Sequence, residues 1–411
     1  KAAQVKGRLK SLRIASHGIN LKQEFMRLDK ALIDGADVDI ILADSVPEDT
    51  TETEIFWKIQ ADLAKVTNSR IRVMGKAMDI NTDIKTLTAD DGFFDLGKSE
   101  YKIAHAELLQ SDLSYAPQVS LSDVSAIVDS IYFCSPDISA QISHLKLKEN
   151  NYGVQVKDLQ ARISIDSTAV HVNDFRLETP YSDVKLGLNM QLDALENNNP
   201  GTLQLAFDGK IGKGDIALFR QYMPKGMLEK LPNQQIALTT AINGNLKNIR
   251  IEQLGVKIPG KLSLTADGSI SNPKATLDNP FELNSLNLNL NANLDSPNID
   301  FLTQFVDPKL LAGTGFKMPH GLPLNASVKL HGNMQNLALE NLSIKIPGKI
   351  NLMAKGEVLR LNNLDNLSNL KNLTLNFDAQ NIDFLINSLD PKLLANTGIK
   401  IPHGIGVKGT A

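Results

Sequence analysis

The run Gly209-Lys210-Ile211-Gly212-Lys213-Gly214 offers the glycines and lysine of a phosphate-binding loop. Such a loop needs four residues between its glycines and a Ser or Thr after the lysine to reach the metal of a nucleotide. Neither condition is met, so the run is excluded as a nucleotide site. Asp90, Asp91 and Asp95 supply carboxylates for a calcium loop but lack the alternating oxygen spacing and the closing Glu, so a solvated turn is expected. The seven histidines, His320 and His403 among them, have no second His or Cys at ligand spacing and read as turn residues. Asp300 and Asp383 read as helix caps rather than a catalytic pair, and no Gly-x-Ser-x-Gly elbow occurs. The single cysteine, Cys134, excludes an intrachain disulfide and a multi-cysteine zinc site. The expectation is a protein with no catalytic residues, metal or cofactor: not an enzyme.

Binding is left, and composition narrows its kind. The 411 residues are 42% hydrophobic, 22% charged and 5% aromatic, with a net charge of −3. That composition folds, and it lacks the basic footprint of a nucleic-acid partner. No apolar run approaches the roughly 18–20 residues of a membrane-spanning helix. The chain starts at Lys1 without an initiator Met and stops in mid-pattern at Ala411, which reads as a fragment of a longer chain.

The sequence repeats. Val256-Lys257-Ile258-Pro259-Gly260-Lys261-Leu262 returns as Ile344-Lys345-Ile346-Pro347-Gly348-Lys349-Ile350, so that Gly260 recurs as Gly348 at an offset of 88. Asn298-Ile299-Asp300-Phe301-Leu302 returns as Asn381-Ile382-Asp383-Phe384-Leu385 at an offset of 83, and both copies run on to Pro-His-Gly. Asp215–Phe219 leading to Met223-Pro224 is a more degenerate relative. Residues 151–411 are therefore read as tandem units of roughly 80–90 residues, the last truncated. Residues 1–150 repeat less clearly. One continuous sheet is expected rather than separate globules.

Within a unit the period is two. Leu286, Leu288, Leu290, Ala292 and Leu294 alternate with asparagines, and Val184, Leu186 and Leu188, Leu262 and Leu264, and Leu373, Leu375 and Phe377 follow the same rule. These are half-buried strands, because successive side chains of a strand leave on opposite faces. Asn243-Gly244 and Asp267-Gly268 are the strongest hairpin signals, and Ile-Pro-Gly is a break between strands. Phe301, Leu302, Phe305 and Val306 recur instead at helical spacing behind Asp300, an expected N-cap; a restart at Asp307-Pro308 carries the pattern to a glycine at 313 or 315. Phe25, Leu28 and Leu32 fit a helical stripe or two strands equally.

Asp44-Ser45-Val46-Pro47-Glu48-Asp49-Thr50, Ala89-Asp90-Asp91-Gly92-Phe93-Phe94-Asp95, Asp129-Ser130-Ile131-Tyr132-Phe133-Cys134 and Asp174-Phe175-Arg176-Leu177-Glu178-Thr179-Pro180 together resemble the TamB translocation and assembly module family in its Bacteroidota form. The resemblance covers essentially the whole chain. That family is similar to the AsmA-like bridge-type lipid transfer proteins. It implies a periplasmic chain held to the inner membrane by an N-terminal anchor and reaching an outer-membrane barrel protein through its C-terminal part. Both ends lie outside this sequence.

The fold expected is mainly β: an elongated, curved antiparallel sheet forming a hydrophobic trough, a repeating β-groove of the β-taco kind, with short interspersed helices. The expected passengers are phospholipid acyl chains, on a groove face of Val184, Leu186, Leu188, Leu238, Ile242, Leu262, Leu264, Leu286, Leu288, Leu290, Leu373, Leu375 and Phe377. Phe301, Phe305, Phe384 and Leu385 belong to helices expected to cap the groove. A plain sandwich core suits the same alternation. A scaffold for outer-membrane protein assembly is the alternative function.

Overall fold

The computed structural model describes residues 4–42, 56–76, 78–195, 200–245, 247–271, 287–304, 320–333, 335–359, 370–380, 383–384 and 404–410. The protein is mainly β, with 73% of the described residues in strands and 7% in helices. Its contacts divide it into two units, Lys1–Leu192 with Ala217–Phe219, and Asp193–Ile216 with Arg220–Ala411. No helix among the described residues is long and apolar enough to cross a membrane.

The first unit is built from β1 (Gln4–Asn20), β2 (Phe25–Ile41), β3 (Lys58–Gly75), β4 (Met78–Asp95), β5 (Glu100–Tyr115), β6 (Val119–Cys134), β7 (Asp137–Glu149), β8 (Gln155–Val156), β9 (Asp158–Ile165), β10 (Ala169–Glu178) and β11 (Asp183–Gln191). Neighbours in sequence pair antiparallel, except that the two-residue β8 lies beside one end of β7 and β7 pairs directly with β9. A second exception stands within the antiparallel sheet that was expected: β2 and β3 run parallel, from Phe25 opposite Lys58 to Ile41 opposite Met74. Parallel neighbours need a crossover of a dozen or more residues, and segment 42–57 is long enough to be one. The acidic stretch 44–54 lies within residues 43–55, outside the described residues.

Phe25, Leu28 and Leu32 all belong to β2, which resolves the choice between helix and strand. The first six strands are 16–18 residues long. They do not keep strict alternation over that length. Gly35, Asn68, Asp91, Gln110 and Asp123 take positive φ inside strands, and the β5–β6 register shifts beside Gln110. Each irregularity re-aims the strand, as a bulge does. The apolar set steps by five across Gly35 and by three where the β1–β2 register shifts beside Leu28, and it stays matched across the ladder: Leu28 faces Ala61, Ala31 faces Ala64, Ile33 faces Val66, and Val38 faces Ile71.

The second unit comprises β12 (Leu203–Ile211), β13 (Ile236–Gly244), β14 (Asn248–Ile258), β15 (Leu262–Ser271), β16 (Asn287–Ser296), β17 (Leu324–Asn333), β18 (Asn336–Ile346), β19 (Ile350–Leu359), β20 (Leu370–Ala379) and β21 (Val407–Thr410). Each is antiparallel to the next. Short helical pieces follow every fourth strand. These are α1 (Lys213–Ile216), a 3-10 turn and α2 (Met227–Lys230) after β12, α3 (Asp300–Thr303) after β16, and a helical pair at 383–384 after β20. The degenerate copy read at 215–224 thus occupies the same place in the unit as α3. The two sequence offsets also find their cause. β13–β15 recur 88 residues later as β17–β19, whereas β16 and β17 recur 83 later as β20 and β21, because connection 360–369 is five residues shorter than 272–286.

The Ile-Pro-Gly breaks are turns. Pro259 sits at the second position and Gly260, at φ +68°, at the third, and the Lys261 N–H donates to the Ile258 carbonyl at 3.0 Å; Ile346–Lys349 repeats this at 3.0 Å. The Asp-Gly signal was misleading: Asp267-Gly268 lies inside β15. A Cβ at Gly268 would sit 2.1 Å from the Asn289 carbonyl oxygen of β16, so the glycine serves a close approach of two strands rather than a turn. Asn243-Gly244 ends β13, and the turn itself is Asn245–Asn248, closed by reciprocal backbone bonds of 2.9 and 3.1 Å.

Candidate functional site

Register places one face of the second unit's ladder in rows. The central row runs Phe207, Thr240, Leu254, Ala266, Ala292, Val328, Leu342, Ala354 and Leu375. The row on one side holds Leu238, Val256, Leu264, Leu294, Ala326, Ile344, Leu352 and Phe377, and the row on the other holds Leu205, Ile242, Ile251, Leu290, Leu330 and Leu339. No charged side chain interrupts these rows. The opposite face carries Arg250, Lys257, Asp267, Lys329, Lys345 and, on β16, Asn289, Asn291 and Asn293.

Of the expected groove residues, Leu238, Ile242, Leu262, Leu264, Leu288, Leu290, Leu375 and Phe377 share this apolar face. Leu373 lies at a register irregularity in β20 beside Asn372, which has positive φ, and its Cδ1 approaches Gly356. Leu286 lies outside the described residues. Val184, Leu186 and Leu188 stand in the first unit, facing Leu177, Phe175 and Val172 of β10. That unit's apolar set includes the ring cluster Phe94, Tyr101 and Phe133, with centroids 6.2 and 5.8 Å apart.

What covers an apolar face decides its role, and burial is the measure. In a sandwich the inward leucines would be the most buried residues. Among the described residues no leucine is buried: the apolar core consists of alanines, isoleucines, Val124 and Phe301. Leu288, Leu290 and Leu294 are only half-buried, as neighbours in one layer leave them. Bulges at Ile251/Leu254 and Leu339/Leu342, 88 residues apart, bend the sheet at the same place in each unit. Sequence reading missed them; two apolar residues three apart inside an alternating run were their signal.

Burial concentrates at one end of the rows. Ile258, Ser296, Ile299, Phe301, Ile346 and Ala379 are all buried there. α3 holds its place through the Ile299 N–H donating to the Leu322 carbonyl at 2.8 Å, the Ser296 hydroxyl donating to the Lys261 carbonyl at 2.7 Å, and the Lys261 ammonium 5.6 Å from the Phe301 ring centre. Asp300 does not cap this helix. It is the first helical residue; the Asn298 side chain accepts from its N–H at 2.9 Å, and the Asp300 carboxylate accepts from the Gly321 N–H at 3.1 Å. Asp383 accepts from the Gly404 N–H at 3.0 Å in the next copy. The repeated Asp thus ties the helix to the glycine of Pro-His-Gly. Phe384 lies in the equivalent helical pair, while Phe305 and Leu385 are outside the described residues.

Comparison with protein-family models, curated proteins and solved structures yields no match.

The polar face of the first unit carries most of its ion pairs. Arg8 reaches Asp37 at 2.9 Å, Arg72 reaches Asp37 and Asp39, Lys10 meets Asp34 at 2.8 Å, and Arg70 meets Asp83 at 2.6 Å. Hydrogen bonds from Lys10, then Asn68 and Thr67, bring the Asp34 pKa down to about 2. Exposed pairs contribute little stability but oppose register slips, because a one-residue shift sets each charge on the wrong face. Asp90, Asp91 and Asp95 are strand residues of β4 rather than a solvated turn. Asp95 is buried, takes the Lys98 N–H at 3.1 Å and pairs with Lys58 at 3.3 Å. Residues 209–214 run from the end of β12 into α1.

Histidines expected in turns are mostly strand residues. His17, His105, His144, His171 and His331 lie in β1, β5, β7, β10 and β17; among the described residues only His320 sits at a bend, and His403 lies outside them. The ladder gives all of these but His171, which meets Asn189, acidic neighbours that spacing along the chain cannot reveal. The His105 Nδ1 lies 2.6 Å from Asp129, which also accepts from the Ser143 hydroxyl at 2.5 Å. The hydrogen bond to Asp129 raises the His105 pKa above its ordinary 6.5, with Asp90 and Glu107 adding to it. The Ser143 and His105 bonds lower that of Asp129. A raised His pKa adds stability that is complete below about pH 6.5 and disappears as pH rises through the folded value; the lowered Asp pKa removes it again only in strong acid. His105→Gln is therefore expected to lower Tm most near pH 5–6 and least above pH 8. Thermal melts across pH check this, and an equal loss at every pH would rule it out.

Proposed function

We propose that this chain is part of a periplasmic bridge-like lipid transfer protein of the TamB type, whose parent is anchored in the inner membrane and engages an outer-membrane barrel protein. The apolar face shields phospholipid acyl chains while headgroups stay in water. One observation carries this reading: a face free of charged side chains whose leucines remain half-exposed, with the described helices of the second unit at one end of it. Each buried methylene contributes about 0.8 kcal/mol, so a tail of ~15 carbons gains roughly 10 kcal/mol.

The test is solvent extraction and mass spectrometry of the purified chain, before and after incubation with phospholipid liposomes. Bound phospholipid is the expected result. A folded chain that stays lipid-free even after the liposomes would overturn the proposal. The alternative is a scaffold for outer-membrane protein assembly, in which backbone strand edges rather than the apolar face do the binding.

A further inference from the structure

One end of the first unit's strands gathers rings. Aromatic residues are 5% of the chain, yet Phe25 opens β2, Phe56 and Trp57 lead into β3, Phe94 stands near the end of β4, Tyr101 near the start of β5 and Phe133 near the end of β6. The register sets all of these at the same end of the sheet: Phe25 faces Lys58, Lys58 faces Asp95, Asp95 faces Glu100, Tyr101 faces Phe133, and Cys134 faces Asp137. Within two residues of the opposite ends of β2–β7, the only ring among the described residues is Tyr115.

Both faces of this rim carry rings. Phe94, Tyr101 and Phe133 stand in one row between Ile59 and Ile138. One residue along, on the other face, Phe93 and Tyr132 flank Lys102, whose ammonium lies 5.8 and 5.5 Å from their ring centres. At the tips apolar side chains meet solvent: Phe56, Leu96, Phe133 and Ile138 are 52%, 36%, 37% and 40% exposed. They run from β3 to β7, about 19 Å at ~4.8 Å per strand. Charge at the rim is balanced, for Lys58 pairs with Asp95 at 3.3 Å and Lys102 with Glu100 at 2.7 Å.

Rings at strand ends with lysine among them are the composition of a protein surface at a membrane–water interface. There the ring sits at headgroup level and the lysine stem carries its charge out to water. A core or a groove would need the rings on one face only. A rigid protein partner would have to clasp the sheet from both sides, whereas a fluid lipid layer fits around it. We infer that this rim of the first unit inserts into the surface of a phospholipid bilayer. The paired charges suit zwitterionic headgroups and call for no anionic lipid. The inference does not rest on what fills the apolar face.

The chain carries its own reporter. Trp57, the single tryptophan, stands in the rim and accepts from the Leu96 N–H at 3.0 Å through its carbonyl. The probes are phosphatidylcholine vesicles with and without bromine on the acyl chains, mixed with the full chain. The chain is expected to float with both, and brominated chains are expected to cut Trp57 emission by roughly half. Leu96→Asp with Ile138→Asp, both at exposed positions, is expected to weaken partition onto vesicles by about tenfold or more. Tyr152→Ser, at a site 68% exposed beyond the opposite end of β7, is expected to leave partition unchanged. No flotation, flotation without quenching, or an equal loss in both variants would overturn the inference. Quenching in a chain that stays out of the floated fraction would overturn it too, and would mark lipid carried off on the apolar face instead.

Discussion

Val328→Asp is expected to cut crosslinking of a photoreactive acyl lipid to β16–β18 at least tenfold while the circular dichroism of the sheet is kept. Val328 stands in the middle row of the apolar face, between Ala292 and Leu342. A carboxylate there holds its water and denies contact to three or four methylenes, about 3 kcal/mol, or roughly two decades of affinity. Because the valine is only half-buried, the substitution leaves the charge a route to solvent, so folding survives. Ser327→Asp adds the same charge one residue away on the polar face, opposite Asn293 and Ser343, and is expected to leave crosslinking unchanged. Equal crosslinking in both folded variants would remove the lipid reading. Central Val328 is a more telling position than Leu288, which shares its row with Gly332 at the end of the strands.

Gly332→Ala is expected to destabilise the second unit by about 2–3 kcal/mol. Gly332 holds φ +126°, where residues other than glycine are strained, and a Cβ would sit 2.2 Å from the Asn336 carbonyl oxygen. Gly244, its counterpart 88 residues earlier, holds φ +134° with the Asn248 carbonyl oxygen 2.0 Å from its Cβ position. The tight β17–β18 connection therefore depends on glycine twice over, for conformation and for space. Gly187 in β11 has neither constraint, with nothing within 4 Å of a Cβ. Gly187→Ala is expected to stabilise by about 0.5–1 kcal/mol, the amount by which glycine weakens a strand interior. Urea midpoints, with hydrogen exchange at β17 and β18 to localise the change, compare the two. A Gly332→Ala midpoint no lower than that of Gly187→Ala would show that the close approach relaxes without cost.

Sequence alone determined that residues 236–379 are mainly strands with one apolar face. Alternation is a local property: side chains leave a strand on opposite sides, and Leu288, Leu290 and Leu294 need no distant partner to declare it. The repeat was legible for the same reason, as were the Pro-Gly turns, whose backbone is set by two adjacent residues. The first unit resisted because its long strands break strict alternation, and the spacing of Phe25, Leu28 and Leu32 in β2 imitates a helix. Asp267-Gly268 misled because a glycine needed for close approach has the same letters as one needed for a turn. Asp300 looked like a cap because a cap and a tie to Gly321 place the same carboxylate at the same helix end. Tertiary structure decided what no window of sequence contains: that β2 and β3 run parallel, that His105 meets Asp129, and that among the described residues no leucine is buried. Each depends on which strand lies alongside or above another, and those neighbours are tens of residues away in the chain.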